Sequence, residues 1–233
     1  MRWRGGGRCG PRGLAPMPDP SLLAALRDLA PPGAGCGQAD PRQDYPPFAG
    51  EELPGAVPAR LREFRAGRAA ARAALAAIGH PAVAIPHGQD RAPIWPDGII
   101  GSISHSATEC LAIVLPADSG GRGVGIDLEP VGPLGRDLWP SVLDEVERQA
   151  IAAVPDCRQG EAAMARFVAK EAAYKAQYPL TQTLLEFHDL RLSFAAGAYR
   201  AELRRPALPL AAGAVIHGRL RQAGGHILAL ATL

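Results

Sequence analysis

Residues 98–130 read GIIGSISHSATECLAIVLPADSGGRGVGIDLEP. Three short apolar runs, rich in β-branched side chains and separated by Gly, Ser, Asp and Pro, predict strands of a small antiparallel sheet. In the last run Asp127 and Glu129 are two residues apart, so the two-residue period of a strand turns both carboxylates to one face. Working outward, residues 137–153 and 160–178 have the pattern of two helices, the second closed by Pro179. Strands follow at DLRLSF (189–194), AYRAEL (198–203), AVIHGRLR (214–221) and HILALATL (226–233). Upstream, Pro58 to Ile78 carries Leu61, Phe64, Ala71, Leu75 and Ile78 at helical spacing and is stopped by Gly79 and Pro81. Ser21 caps a short helix through Leu29, ended by Pro31 and Pro32, and the Gly-, Pro- and Asp-rich stretch to about residue 57 is expected to be surface loop. The order, helix then strands followed by helices then strands, predicts an α+β protein of two halves, 21–129 and 130–233. Residues 1–20 are expected to form a disordered tail. No strong internal repeat is visible.

The 233 residues are 47% hydrophobic and 21% charged, with a formal net charge of +2, which suits one or two domains with a real core. No apolar run approaches the roughly 20 residues of a membrane-spanning helix. The weak net charge argues against a nucleic-acid binder held by phosphate contacts. Cys9, Cys36, Cys110 and Cys157 never form a C-x-x-C pair, so reduced thiols in a cytoplasm are expected. The opening MRWRGGGRCGPRGLAP lacks the apolar centre of a secretory signal, and Met17 is a possible alternative start.

Of 25 basic residues only two are lysines, Lys170 and Lys175, both in FVAKEAAYK. On that predicted helix Phe167, Glu171 and Lys175 share one side, while Lys170 and Tyr174 share the adjacent stripe. Asp127 and Glu129 repel each other unless a cation lies between them, and a hard divalent ion such as Mg²⁺ suits carboxylate oxygens and keeps room for substrate phosphates. Solvent-facing acids on an edge strand are the plainer alternative. His105, with Ser102, Ser104 and Ser106, stands just past a predicted strand end, where the serines also suit a turn. No Gly-x-Ser-x-Gly elbow surrounds them, which disfavours a serine hydrolase. Arg60, Arg62, Arg65, Arg68 and Arg72 stud the Pro58–Ile78 helix either as a solvated face or as a phosphate-binding one.

The ordered series REFRAGRAAARAAL, RAPIWPDGIIGSISHS, GVGIDLEP and FVAKEAAYK resembles the 4′-phosphopantetheinyl transferases, in particular the branch similar to enterobactin synthase component D. The resemblance covers roughly residues 21–233. It implies a monomer of two similar α+β halves related by a pseudo-twofold axis, with coenzyme A between them. It further implies transfer of the 4′-phosphopantetheine arm to a serine of an apo acyl or peptidyl carrier protein, releasing adenosine 3′,5′-bisphosphate. Under it, Asp127, Glu129 and Glu171 hold Mg²⁺. Ser104 and His105 contact the nucleotide phosphates, Arg60, Arg68 and Arg91 serve the same nucleotide end, and Lys170 and Lys175 match the two family lysines. Glu171, directly or through a water on the metal, takes the serine proton, and Lys175 serves the departing phosphate. The branch leans toward nonribosomal peptide or siderophore synthesis. Leu138 to Ile151 is the candidate carrier-docking segment. Two other classes stay open at this point: a non-catalytic coenzyme A or carrier-protein binding module, and a Mg²⁺-dependent nucleotide phosphohydrolase.

Overall fold

The computed structural model describes residues 22–233, so the Ser21 cap, the tail and the Met17 start lie outside the described residues. Within them the chain is α+β, with two antiparallel sheets. Helix α1 (Leu22–Leu29) leads to strand β1 (Gly35–Ala39), helix α2 (Pro58–Ala77), and strands β2 (Ile99–His105), β3 (Cys110–Pro116) and β4 (Val124–Pro130). Helices α3 (Trp139–Val142), α4 (Glu145–Ala152) and α5 (Asp156–Thr181) precede strands β5 (Leu190–Ala195), β6 (Ala198–Leu203), β7 (Val215–Ala223) and β8 (His226–Thr232). The first sheet has the order β1-β3-β2 and the second β4-β8-β7-β6-β5.

Two departures from the sequence reading matter for function. Strand β4, expected to close the first half, is hydrogen-bonded along its length to β8 in the second sheet. Strand β1, GCGQA, lies in a stretch expected to be loop. Its low β propensity hides it, and its glycines explain it. A Cβ on Gly35 or Gly37 would stand 2.1 or 2.0 Å from the carbonyl oxygens of Ala74 and Ala70 on α2. The same device recurs at GVG of β4, where a Cβ on Gly123 or Gly125 would stand 2.1 or 2.0 Å from the oxygens of Ala176 and Ala172 on α5. In each half a Gly-x-Gly strand therefore seats a long helix on its backbone through an Ala-x-x-x-Ala face, a local repeat too short to register as sequence similarity.

Apolar contacts fill both helix–sheet layers and the space between them. Ala70, Ala71, Ala74 and Leu75 of α2 pack on Ala112 and Val114 of β3, and Ala169, Ala172, Ala173 and Ala176 of α5 pack on β6, β7 and β8. A third cluster joins α1, β3, β4 and β8 through Leu26, Ile113, Ile126 and Leu230, so the two sheets share a core. Along their seam the serines of β2 replace backbone pairing: Ser102 Oγ accepts from Ile126 N at 3.0 Å and Ser104 Oγ from Leu128 N at 3.1 Å. Ser102 and Ser104 are thus strand residues, His105 is the last residue of β2, and only Ser106 serves the turn, its Oγ accepting from Thr108 N and Glu109 N.

The predicted helix 137–153 is broken between α3 and α4, where Asp144 starts α4 with a capping box to Glu147. Helix α5 runs past Pro179 to Thr181, since a proline in the last turn removes only one terminal hydrogen bond. Cys36 and Cys110 are buried free thiols, as expected, whereas exposed Cys157 is disulfide-bonded, against expectation; Cys9 lies outside the described residues. No helix among the described residues is long and apolar enough to cross a membrane.

Candidate functional site

The seam between the sheets gathers the chemistry. Alternation along β4 turns Val124, Ile126 and Leu128 into the shared core and leaves Gly125, Asp127 and Glu129 on the side of α5. The close approach allowed by Gly123 and Gly125 then brings α5 within reach of Asp127. Lys175 Nζ donates to Asp127 Oδ1 at 2.6 Å and lies 3.3 Å from Ser104 Oγ. Ser104 donates to the same Asp127 oxygen at 3.0 Å. Asp127 is 4% exposed, and its Oδ2 is buried without a hydrogen-bond partner.

Two more carboxylates press on this spot. Burial raises Glu171 above the usual glutamate range, the Asp127 charge adds to the rise, and Lys175 opposes it. Glu129 is raised by burial and then by Asp127, with Lys175 again opposing and Glu171 adding. Negative charge is in excess here, since one ammonium faces three acids. Among the described residues no group of three or more His, Cys, Asp or Glu side chains stands so that it could hold a metal ion, and the Lys175 ammonium occupies Asp127 Oδ1. The donor chemistry still suits a hard divalent ion: a buried carboxylate oxygen without a partner, electrostatically coupled to two further carboxylates whose ionisation the site penalises.

A basic group borders the seam at the end of β2. Arg60, in the first turn of α2, donates to His105 Nε2 at 2.6 Å and to Glu63 at 3.2 Å. Burial and then the Arg60 charge push His105 below its ordinary value, which keeps the ring neutral and its Nε2 an acceptor. Asp90 Oδ2 accepts from Tyr178 of α5 at 2.9 Å, tying the 88–92 turn to the second half.

The other candidates are placed differently. Lys170 is fully buried at the wall of the small groove beside Glu171, and its ammonium donates to Val142 O and Glu147 Oε2, both at 2.7 Å. The helix turns about 100° per residue, which carries Lys170 away from the side that Glu171 shows. Arg68 is buried, with Nε on Ile85 O at 2.9 Å and its guanidinium over the Phe64 ring, and burial lowers it to about 10. Arg72 grips Glu51 at 2.6 and 2.8 Å, and Glu51 accepts from Ile85 N. Both arginines brace loops against α2, neither solvated nor open to a phosphate. Arg91 is exposed at the tip of its turn with φ +67°, and its side chain makes no hydrogen bond or ion pair among the described residues. Ser104 spends its hydroxyl on Asp127 and Leu128. Sequence reasoning missed Glu63 and Glu147; the Asp144-x-x-Glu147 spacing of a capping box was the available signal for the second.

A groove of about 230 Å³ opens beside Glu171, lined also by Lys170, Tyr174, Leu185, Glu186, Phe187 and Leu190. A larger cavity, about 600 Å³, lies on the far side of the second sheet between Pro31, Pro32, Arg200 and His217, and no predicted site residue lines it.

Residues 49–115 match the family model of the 4′-phosphopantetheinyl transferase N-terminal domain, and residues 123–231 match that of the 4′-phosphopantetheinyl transferase superfamily. The chain belongs to the 4′-phosphopantetheinyl transferase superfamily. The gap between the matches falls ahead of β4, in keeping with the pairing of β4 into the second sheet. The chain is similar to the 4′-phosphopantetheinyl transferase Svp of Streptomyces mobaraensis, at 38% identity over 70% of this chain and 65% of that protein. It is similar to PptT of Mycobacterium tuberculosis, at 39% over 59% of this chain and 60% of that one. Enterobactin synthase component D of Salmonella typhi is 40% identical over 50% of this chain and 48% of that protein. The chain thus spans less than two thirds of the length of these relatives.

Proposed function

We propose that this member of the superfamily transfers the 4′-phosphopantetheine arm of coenzyme A to a serine of an apo acyl or peptidyl carrier protein, releasing adenosine 3′,5′-bisphosphate. The observation that carries the reading is the buried, partnerless Asp127 Oδ2 beside Glu129, Glu171 and Lys175. Asp127, Glu129 and Glu171 would hold Mg²⁺, which when bound neutralises diphosphate charge and makes the phosphorus more electrophilic.

The chain's own groups account for the rest. The carrier serine oxygen attacks the phosphorus that bears the pantetheine, and Glu171 takes the hydroxyl proton. The bond from that phosphorus to the bridging oxygen breaks, and the Lys175 ammonium stabilises the charge left on the departing nucleotide. A lysine also has a proton to give, which arginine with a pKa above ~12 effectively lacks. Arg60 and neutral His105 form the polar end of the seam suited to the 3′-phosphate. The groove between Tyr174, Leu185 and Phe187, with Lys170, Glu171 and Glu186 also on its wall, suits the pantetheine arm, whose reacting end then lies beside Glu171. In the segment Leu138 to Ile151, Leu138 and Val146 are exposed while Val142, Leu143 and Ile151 face the core, so the first two are the apolar surface offered to a carrier.

The test is incubation with coenzyme A, Mg²⁺ and an apo carrier protein, followed by intact mass measurement of the carrier. A gain of one phosphopantetheine arm is expected. Nucleotide hydrolysis without that gain, or coenzyme A binding alone, overturns the assignment.

A further inference from the structure

Lys170 was expected to touch the ligand, and its burial raises the question of what a lysine does there. Its ammonium is wholly enclosed, and burial depresses its affinity for a proton while Glu147 opposes that shift. The partner carboxylate is saturated by donors from three directions. Glu147 Oε2 accepts from Lys170 Nζ at 2.7 Å and from Asp144 N at 2.9 Å, while Oε1 accepts from Leu192 N of β5 at 3.0 Å. Lys170 meanwhile reaches Val142 O at the end of α3. Asp144 is held in turn by Arg191 of β5 at 2.8 Å. One ion pair therefore joins α3, α4, α5 and β5.

The helix that carries Lys170 needs such an anchor. Where α5 meets β4 its contact face is alanine, Ala172 and Ala176 resting on Gly125 and Gly123. Small side chains allow the closest approach yet offer few knobs to fix rotation about the helix axis. Hydrogen bonds to a buried charge are directional and lose much of their worth when misaligned. At about 100° per residue, fixing Lys170 fixes Glu171 about 100° away and Lys175 within about 40° of Glu171. We infer that Lys170, through its buried pair with Glu147, is a positioning residue that sets the rotation of α5 and so delivers Glu171 and Lys175 to the seam.

This inference rests on the transferase reading and is tested on the full chain. In the variant Lys170→Met/Glu147→Gln both charges go together, and the glutamine oxygen still accepts a backbone N–H, so no charge is stranded in the core. Thermal midpoint, KM for coenzyme A and kcat for carrier loading are measured beside the wild type. The expected result is a midpoint within a few degrees of the wild type, a KM changed less than about twofold, and a kcat lowered on the order of ten- to a hundredfold, the cost of misplacing reacting groups by about an ångström. A residue that merely stabilised the fold would leave kcat intact when the midpoint is kept, and that outcome overturns the inference. Should the double variant not fold, Lys170→Gln, which retains a donor toward Val142, is assayed well below its midpoint; the same loss of kcat is expected there, and an unchanged kcat refutes the role. A wild-type chain that loads no carrier refutes the transferase reading itself, a result distinct from an active wild type with an equally active variant.

Discussion

Removing the Lys175 ammonium isolates the electrostatics of the seam. In Lys175→Met the chain length is nearly kept while Asp127 loses its shortest partner. At an effective dielectric of about 20, unit charges 2.6 Å apart attract by about 6 kcal/mol. Much of that is offset by desolvation, and the lysine side chain remains 27% exposed against 6% for the aspartate, so water can partly replace it. A net loss of about 2–3 kcal/mol is the reasonable expectation, below the ~3–5 kcal/mol of stranding one charge of a wholly buried pair. For a chain of this size that corresponds to a fall in midpoint of about 4–12 °C. The diagnostic measurement is thermal unfolding with and without Mg²⁺. With three carboxylates and no internal cation, the variant should gain more from Mg²⁺ than the wild type does, because binding to the native state alone stabilises by mass action. A midpoint unchanged by the substitution, or an Mg²⁺ increment equal in both proteins, refutes the claim that Lys175 substitutes for a cation against Asp127.

Three further expectations follow from the same geometry. Glu171→Gln should abolish transfer while stabilising the metal-free protein at neutral pH. The raised folded pKa means that the neutral form is favoured in the metal-free fold, so wild-type stability falls as pH rises from the ordinary glutamate value through the raised one, and the two proteins converge near pH ~4; near-normal turnover of the variant removes Glu171 as base. Arg60→Ala should weaken coenzyme A well beyond dephospho-coenzyme A in calorimetry, whereas equal losses exclude Arg60 and His105 from the 3′-phosphate. Gly125→Ala should cost about 2–3 kcal/mol in urea unfolding and most of the activity, since its Cβ would stand 2.0 Å from Ala172 O; a neutral result means α5 has room to retreat without consequence.

Which parts of this site could be read from the chain depended on how far their causes lie in sequence. Asp127 and Glu129 were legible because a strand's alternation is local, and Glu171 with Lys175 because four residues make a helix turn. The pairing of β4 with β8 was not, since its partner lies about a hundred residues away and β4 is equally apolar whichever sheet receives it. Strand β1 was hidden because its glycines answer to the oxygens of Ala70 and Ala74, not to any preference of its own. The arginines divide in the same way. A periodic row on α2 suggested one shared role, but Arg68 and Arg72 meet the loops at Ile85 and Glu51 whereas Arg60 meets His105, and only the tertiary partner distinguishes them.

The two lysines sharpen the point. Their shared rarity suggested a shared task, and five residues of helix separate two different ones. Lys175 is partly exposed among three acids, where the proposed transfer asks for an ammonium with a proton to give. Lys170 is enclosed, and its slim ammonium reaches a carbonyl and a carboxylate at 2.7 Å each. A guanidinium there would bring five donors in a rigid fork to a space where the ammonium meets two acceptors, leaving N–H groups buried and unsatisfied. On the proposed chemistry arginine is disfavoured at both positions, by proton transfer at one and by hydrogen-bond geometry at the other, which gives a chain otherwise committed to arginine a reason to hold lysine at each.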